Sequence, residues 1–244
     1  MAPSPFSAAR VTRVLPAGER GVTVETDLHW RAEPGQFVML WLPRLDEKPF
    51  SLVDCDPVTL TIVRVGPFTE RLQALRQGDR VHMRGPFGRG FSTTARRPLL
   101  VAGGCGAAPL AFLARRLQEA GVGTTVALGA RTAGELVLAE RLRCLGADVR
   151  ESTDDGSAGA SGFVTDLAER FLASGAHDRV YACGPSAMLA RVEELCRRYR
   201  VPGEVSREAY MRCGIGICGS CACEDGSLVC RDGPVFQVGG GELA

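Results

Sequence analysis

Short stretches of alternating apolar and polar residues fill the first 96 positions of this 244-residue chain. Many apolar positions are β-branched, and Gly, Pro and Asp separate one stretch from the next, which is the pattern of β-strands joined by tight turns. The strand candidates are VTRVLP, VTVETD, QFVMLWLP, TLTIVRV and RVHMRG, and one helical stretch, TERLQALRQ, lies among them. Strands this short and this closely spaced predict a small antiparallel barrel or sandwich over residues 1–96.

The pattern changes near Arg97, where a buried strand at Pro98–Ala102 leads into the glycine-rich sequence GGCGAAP. Helical and strand-like stretches then alternate up to residue 200. We expect helices near 110–120, 135–144, 164–172 and 185–198, and strands near 124–130, 148–152 and 180–182. This alternation predicts an α/β domain at 97–200, with a parallel sheet covered by helices on both faces.

The last segment, 201–244, has little periodicity and carries five of the ten cysteines of the chain. A segment with so few regularly spaced apolar residues can bury little surface, so a bound metal centre is its expected organiser. The sequence therefore predicts a multidomain β plus α/β protein that ends in a small cysteine-rich module.

Composition narrows the class of protein. The 29 Lys and Arg nearly balance the 28 Asp and Glu, for a net charge of +1, which argues against a nucleic-acid partner. No apolar run is long enough to span a membrane, and the N-terminus MAPSPFSAARVTRVLP lacks the apolar core of a signal peptide. We therefore expect a cytoplasmic protein without a membrane partner, in which cysteines bind a metal or cofactor rather than form disulfides.

The strongest chemical signal is the spacing of Cys213, Cys218, Cys221 and Cys230. The first three follow the C-x4-C-x2-C pattern of plant-type [2Fe–2S] proteins, which take a more distant fourth cysteine. Intervening glycines would let backbone N–H groups turn towards the sulfurs. Zinc is the alternative, but its sites usually combine two short cysteine pairs and only Cys218 and Cys221 form one. Cys223 is a spare thiol in this register.

Two strand–turn–helix sequences indicate a nucleotide site. Gly103, Gly104 and Gly106 would let the backbone approach a pyrophosphate at the start of a helix. Cys183, Gly184 and Pro185 would lie at the carboxyl end of a parallel strand, where nucleotides bind in such sheets. Because glycine-rich turns also arise for packing alone, neither sequence is specific by itself.

A third signal is Lys48-Pro49-Phe50-Ser51, followed by GPFTERL at 66–72. Lys48 is the one lysine beside 28 arginines. A cation, an aromatic ring and a hydroxyl in succession could serve the phosphate, the ring face and N5 of a flavin. Without context the same residues form an ordinary turn.

Taken in this order, the three signals resemble the ferredoxin–NADP reductase superfamily, which joins a flavin barrel to an NAD(P)-binding α/β domain. The sequences TDDGS, GFVTD, ACGP, MRCGIGICGSC and VCRDGPVF are similar to those of the electron-transfer subunits of NAD-dependent dihydroorotate dehydrogenases. The resemblance covers essentially the whole chain, and its most specific part is the cysteine motif followed by CRDGPVF.

The resemblance implies FAD, one [2Fe–2S] cluster and NAD as cofactors. It also implies an FMN-containing catalytic partner that oxidises dihydroorotate, in a heterotetramer. By motif match, the flavin would be held by Lys48, Pro49, Phe50 and Ser51, and its ribityl and pyrophosphate lined by Ile62, Val63, Arg64, Phe68 and Thr69. Gly103, Gly104, Gly106 and Cys183–Pro185 would meet the nicotinamide nucleotide. The chain departs from the family pattern at Lys48, where Arg is usual, and at Cys105 within the glycine turn.

Two alternatives remain open at this point. The same cofactors could serve another redox partner, such as a hydrogenase, a transhydrogenase or an oxygenase. The chain could also be a non-enzymatic iron–sulfur sensor. No catalytic acid or base can be identified, and electron transfer does not require one because the cofactors carry the chemistry.

Overall fold

A computed structural model describes residues 6–239, and their N-terminal part forms the predicted antiparallel barrel. Its strands run in the spatial order β1-β2-β5-β4-β3-β6, and β6 closes the barrel against β1. The elements are β1 (Ser7–Pro16), β2 (Gly21–Thr26), β3 (Phe37–Leu42), β4 (Asp46–Cys55), β5 (Val58–Val63), α1 (Pro67–Gln73) and β6 (Arg80–Phe87).

The alternation of apolar and polar residues along the strands explains which side chains fill the barrel interior. Every second residue points inward, and Val11, Val24, Leu60 and Met83 are no more than 2% exposed. The same apolar cluster also includes Phe112, which comes from outside the barrel sequence and is fully buried. The barrel core is therefore completed by the domain that follows it.

The second sheet has seven strands in the order β10-β9-β8-β7-β11-β12-β13, with helices packed on its faces. Its strands are β7 (Pro98–Gly103), β8 (Thr125–Ala130), β9 (Asp148–Thr153), β10 (Ala160–Ser161), β11 (Arg179–Cys183), β12 (Gly203–Ser206) and β13 (Val235–Val238). Its helices are α2 (Ala107–Glu119), α3 (Ala139–Cys144), α4 (Val164–Ala173) and α5 (Ser186–Tyr199). None of the helices within 6–239 is long and apolar enough to cross a lipid bilayer.

The C-terminal segment contributes two strands to this sheet. β12 extends the parallel sheet beside β11, and β13 pairs with β12 in the antiparallel sense, so the sheet is mixed at this edge. Ser206 lies opposite Val235, and all four residues of β12 are buried. The boundary predicted at residue 200 therefore falls inside the sheet, and only residues 207–234 project from it as a cysteine-rich loop.

The helix predicted over residues 135–144 is wrong in its first half. Ala133–Glu135 form a single 3-10 turn, and α3 begins only at Ala139. Leu138 lies between them with φ of 63°, a left-handed conformation that a right-handed helix cannot include.

Replacing Phe112 by Ala should destabilise both domains together, because its ring fills the barrel core from α2. Loss of a buried aromatic ring typically costs about 3–5 kcal/mol. In a chain of this size, that should lower the thermal midpoint by roughly 6–20 °C. Phe163→Ala is the matched control, since Phe163 is 65% exposed. Calorimetry at a fixed FAD concentration measures both variants, and equal midpoints would contradict a shared core.

Candidate functional site

The four cysteines of the predicted cluster motif lie together in the loop between β12 and β13. The thiols of Cys213 and Cys218 lie close enough for each to influence the pKa of the other. Burial most of all, and then Cys221 and Cys213, raise the pKa of the Cys230 thiol, and the effect of the two cysteines places these thiols near one another. The loop thus brings the four thiols together.

Backbone N–H groups point at three of these sulfurs. Gly216 N donates to Cys230 Sγ at 3.2 Å, Ile215 N donates to Cys213 Sγ at 3.5 Å, and Cys230 N donates to Cys221 Sγ at 3.5 Å. Gly216 has φ of 82°, which side-chain-bearing residues rarely adopt, and Cβ at this position would lie 2.9 Å from Arg231 Cδ. Glycine is therefore required for the turn that aims this donor at Cys230.

The donor set of the loop can be compared with the needs of a zinc ion and of an iron–sulfur cluster. Zinc requires about four ligands around a single ion. Within residues 6–239, no three Cys, His, Asp or Glu side chains are grouped closely enough to hold one ion. A [2Fe–2S] cluster instead takes two thiolates on each of two irons, and N–H donors to sulfur stabilise its charge. The donor set in this loop fits the cluster.

The environments of Cys218 and Cys230 differ strongly. The Ser220 hydroxyl oxygen lies 3.4 Å from Cys218 Sγ. Hydrogen bonds from the Ser220 side chain and backbone lower the pKa of the Cys218 thiol to about 6. Burial raises the pKa of Cys230 to about 12. Cys218 therefore stands at the exposed rim of the loop, whereas Cys230 stands at its buried base.

Cys223 lies in a turn of its own. Its backbone N donates to Ser227 O at 2.8 Å, and its carbonyl accepts from Gly226 N at 3.0 Å. The Cys223 side chain packs at the edge of the apolar cluster that contains Cys221 and Cys230, but none of the hydrogen bonds to sulfur within residues 6–239 involves it. This geometry favours Cys221 over Cys223 as the third ligand of the motif.

The cysteine loop packs against the N-terminal barrel. Phe37 and Met39 of β3 form one apolar cluster with Met211, Cys221 and Cys230. In the β3–β4 ladder, Phe37 lies opposite Ser51 and Met39 lies opposite Pro49. Neighbouring strands are roughly 5 Å apart. The loop is therefore one strand away from the predicted flavin motif.

The residues of that motif lie on β4, near the edge of the cysteine loop. Lys48 Nζ is 2.6 Å from Asp46 Oδ2 and 5.3 Å from the centre of the Tyr210 ring. The rings of Phe50 and Phe68 are stacked with their centres 6.2 Å apart. The structure thus brings the KPFS motif and the GPFT sequence together, as expected for one shared binding surface.

Two of the predicted flavin residues have side chains that make contacts within the protein itself. Ile62 is fully buried in the barrel core, so only its backbone can contact a ligand. The Thr69 hydroxyl accepts hydrogen bonds from the backbone N of Val65 and Gly66, at 2.9 and 3.1 Å, and donates to Gly66 O. Thr69 therefore shapes the turn before α1.

The two predicted nucleotide turns pack directly on each other at the carboxyl ends of β7 and β11. Cβ added at Gly103 would lie 2.9 Å from Pro185 Cδ, and Cβ at Gly106 would lie 2.1 Å from Cys183 O. Only glycine allows this approach at either position. Gly104 instead faces open space with φ of 52°, which leaves its backbone free to face a ligand.

A cleft of about 350 Å³ opens between the barrel and the second sheet. Its lining includes Val63 and Arg64, which were predicted to contact the flavin, and Gly104, which was predicted to contact the nucleotide. Its lining also includes Cys105 of the glycine turn, and three residues that the sequence analysis did not assign to a site: Arg20, Arg131 and Glu135. Arg131 donates twice to Glu135, at 2.8 and 2.5 Å, and Arg20 lies 3.7 Å from the same carboxylate.

Glu208 is a further residue that sequence reasoning did not identify. Desolvation raises the pKa of its carboxyl group. Desolvation, and to a lesser extent the charge of Glu208, raise the pKa of Cys105 to about 11 and also raise that of Cys183. These three groups therefore lie near one another beside the glycine turn, with Cys183 buried and Cys105 and Glu208 exposed to solvent.

Comparisons with known proteins match the cysteine-rich segment and the second sheet to two separate family models. Residues 208–240 match the iron-sulfur cluster binding domain of dihydroorotate dehydrogenase B, and residues 100–194 match the oxidoreductase NAD-binding domain. A Methanopyrus kandleri protein named probable dihydroorotate dehydrogenase B (NAD(+)), electron transfer subunit, is 48% identical over 214 residues, or 87% of this chain and 81% of that protein. This chain belongs to the family of dihydroorotate dehydrogenase B electron transfer subunits.

Further relatives agree in sequence and in fold. The equivalent Methanocaldococcus jannaschii protein is 40% identical and covers 93% of this chain and 88% of its own length. The NADH-dependent reduced ferredoxin-NADP oxidoreductase, studied for flavin-based electron bifurcation, has a TM-score of 0.83 at 28% identity, over 97% of this chain and 90% of that one. The predicted family, fold class and oxidoreductase activity are confirmed, and so are the iron–sulfur and NAD-binding domains.

Cys221→Ser should abolish cluster incorporation, whereas Cys223→Ser should leave it intact. Cys221 Sγ accepts a hydrogen bond from Cys230 N, whereas no hydrogen bond to the Cys223 sulfur is formed within residues 6–239. Loss of the cluster should loosen residues 207–234 because metal binding there is coupled to folding. Iron and acid-labile sulfide content and the electron paramagnetic resonance signal of the reduced protein provide the measurement. The opposite outcome, with Cys221→Ser retaining the signal and Cys223→Ser losing it, would show that the register is wrong.

Proposed function

We propose that this chain transfers electrons from an FMN-containing dihydroorotate-oxidising subunit to NAD⁺, by way of a [2Fe–2S] cluster and FAD that it holds. The observation that carries the proposal is the linear order of three sites. The cysteine loop packs on β3, the KPFS motif lies on the adjacent β4, and the end of β5 opens into the cleft beside the glycine turn. Electrons could thus cross the chain without a conformational change.

The cysteine loop would hold the cluster through two pairs of thiolates. Cys213 and Cys218 would bind one iron, and Cys221 and Cys230 the other. The N–H groups of Ile215 and Gly216 donate to Cys213 and Cys230, and would stabilise the extra negative charge of a reduced cluster. When bound, the cluster and the flavin supply one-electron and hydride chemistry.

The flavin would lie along β4, with Lys48, Pro49, Phe50 and Ser51 against it. The cleft supports this placement because Arg20 and Arg64 project into it from the barrel and supply positive charge suited to a diphosphate. Lys48 adds a compact positive charge, held beside Asp46. Val63, Phe68 and the backbone around Ile62 and Thr69 would complete the contact surface.

The nicotinamide nucleotide would bind across the turns at Gly103–Gly106 and Cys183–Pro185. Their carboxyl-end position is where α/β sheets bind such ligands. NAD⁺ suits the cleft better than NADP⁺, because Glu135 and Asp154 both act on Arg131. These two carboxylates would repel a 2′-phosphate. They would also offset the positive charge of Arg131, which could otherwise attract one.

The catalytic partner would dock where the cysteine loop meets solvent, and the expected assembly is a heterotetramer. Ile217, between the first two ligands of the motif, is 78% exposed, and Cys218 is exposed beside it. A partner that approached here would bury Ile217 and come close to the exposed ligand Cys218. The partner would therefore approach the Cys213–Cys218 pair first.

A second candidate function keeps the same cofactors and changes the partner. The structural similarity to the NADH-dependent reduced ferredoxin-NADP oxidoreductase favours it, since the two chains superpose over nearly their full lengths. Co-purification from the native host separates the two functions. A second chain with FMN and dihydroorotate activity supports the first, and a ferredoxin-linked partner supports the second.

Lys48→Ala should weaken FAD binding if the Lys48 ammonium meets the flavin phosphates. A hydrogen bond to a charged group contributes about 1.5–3 kcal/mol, which corresponds to a roughly 10- to 150-fold rise in Kd. Lys48→Arg should bind FAD at least as well. Arg13→Ala on β1 is the control, because Arg13 lies on the barrel surface and only reaches Glu25 at 4.0 Å. Fluorescence titration of deflavinated protein measures all three, and unchanged affinity in Lys48→Ala would remove Lys48 from the site.

The isolated chain should pass electrons from NADH to an artificial dye but should not oxidise dihydroorotate. The described residues form one barrel, one α/β sheet and one cysteine loop, each already assigned to a cofactor other than FMN. Anaerobic assays of the reconstituted protein with each donor provide the test. Dihydroorotate turnover by this chain without a partner would refute its role as the electron-transfer subunit.

A further inference from the structure

Helix α2 belongs to both halves of the molecule. It begins directly after the glycine turn of the nucleotide site, and its opposite side packs on the flavin barrel. Phe112 fills the barrel core, and Arg116 Nη2 donates to Ala32 O at 3.1 Å. Any movement of the barrel relative to α2 would therefore move the flavin relative to the glycine turn.

Asp54 is the charged group at this junction. It lies on β4, the strand that carries Lys48–Ser51, and is only 5% exposed. Its Oδ1 is 2.9 Å from Arg115 Nη2 of α2, and its Oδ2 is 3.1 Å from Arg141 Nη2 of α3. The backbone N of Cys55 and Asp56 donate to Oδ1 at 2.7 and 3.2 Å, which holds the carboxylate in place. One side chain of the flavin strand thus binds two helices of the nucleotide domain.

The burial of Asp54 makes its contact with the two arginines sensitive to the loss of either partner. A carboxylate with little access to water interacts strongly with its cationic partners, and removal of one partner leaves the others poorly compensated. Arg115 is itself 22% exposed, also pairs with Glu119, and its Nε has no hydrogen-bond partner among the described residues. Asp54 is therefore the contact that ties Arg115 to the barrel.

We propose that Asp54 is a positioning residue for hydride transfer, which fixes the flavin strand β4 against the helix that follows the nucleotide turn. The inference rests on the proposed function, in which FAD binds on β4 and NAD binds at Gly103–Gly106. Reacting atoms must approach to about 3–3.5 Å, and a displacement of about 1 Å can cost a hundredfold in rate. Asp54 acts on that distance through the domain interface and does not itself contact either cofactor.

Asp54→Asn tests the proposal with minimal change of shape, because an amide oxygen can still accept from Cys55 N. The test uses the FAD-loaded protein and follows its reduction by NADH in a stopped-flow instrument. We expect the limiting rate at saturating NADH to fall about 10- to 100-fold, while the Kd values for NADH and FAD change less than about twofold. Asp148→Asn is the control. Asp148 is an exposed carboxylate that pairs with Arg150 on the same strand, β9 of the second sheet.

A spectroscopic measurement separates positioning from stability. NAD⁺ added to the photoreduced protein should give a long-wavelength charge-transfer band only when the nicotinamide and flavin rings stack. That band should weaken in Asp54→Asn and persist in Asp148→Asn, and the rate of flavin reoxidation by ferricyanide should be the same in both. Arg141→Gln removes one arm of the contact from a side chain that is 30% exposed, and should give an intermediate loss even where Asp54→Asn folds poorly.

Wild-type limiting rates and an unchanged charge-transfer band in Asp54→Asn and Arg141→Gln would overturn the proposal and leave Asp54 with a structural role only. A lower thermal midpoint with unchanged rates would also overturn the proposal and assign Asp54 a structural role only. Failure of the unmutated FAD-loaded protein to accept hydride from NADH would instead contradict the proposed function, and the role of Asp54 with it.

Discussion

The packing of α2 between the two sheets is the contact on which the remaining arrangement depends. Its first turn follows Gly106, which must approach Cys183 closely, and its middle delivers Phe112 into the barrel core. Apolar burial supplies the main driving force at this junction, and the buried carboxylate of Asp54 gives the junction a defined geometry. A shift of either wall of the cleft would therefore break a buried contact.

The linker between the barrel and the second sheet is held by a separate polar contact. Ser92 N donates to Glu204 Oε2 at 2.8 Å, and Arg179 Nη1 lies 3.0 Å from Glu204 Oε1. Glu204 is fully buried on β12, the strand that leads into the cysteine loop. The same strand therefore supports both the domain linker and the start of the cluster motif, which places the loop against β3.

Local patterns in the sequence were sufficient for the barrel strands, the α/β alternation and the cysteine spacing, because each depends on residues close together in the chain. Contacts between distant residues could not be predicted in this way. Asp54 and Arg141 are 87 positions apart, and Ser92 and Glu204 are 112 apart. Glu135 was expected to begin a helix, yet it binds Arg131 and the chain turns at Leu138. Sequence reasoning thus identified cofactor motifs but missed the charged residues between domains.

The pairing of Ser206 with Val235 brings the two ends of the cysteine loop to adjacent positions on neighbouring strands. Residues 207–234 are therefore an excursion from an otherwise continuous hairpin, with entry and exit only about 5 Å apart. A short turn could join β12 to β13 without disturbing the sheet, so the loop is topologically an insertion. A reductase of this architecture can acquire or lose an iron–sulfur centre as one unit, while its flavin and nucleotide sites keep their geometry.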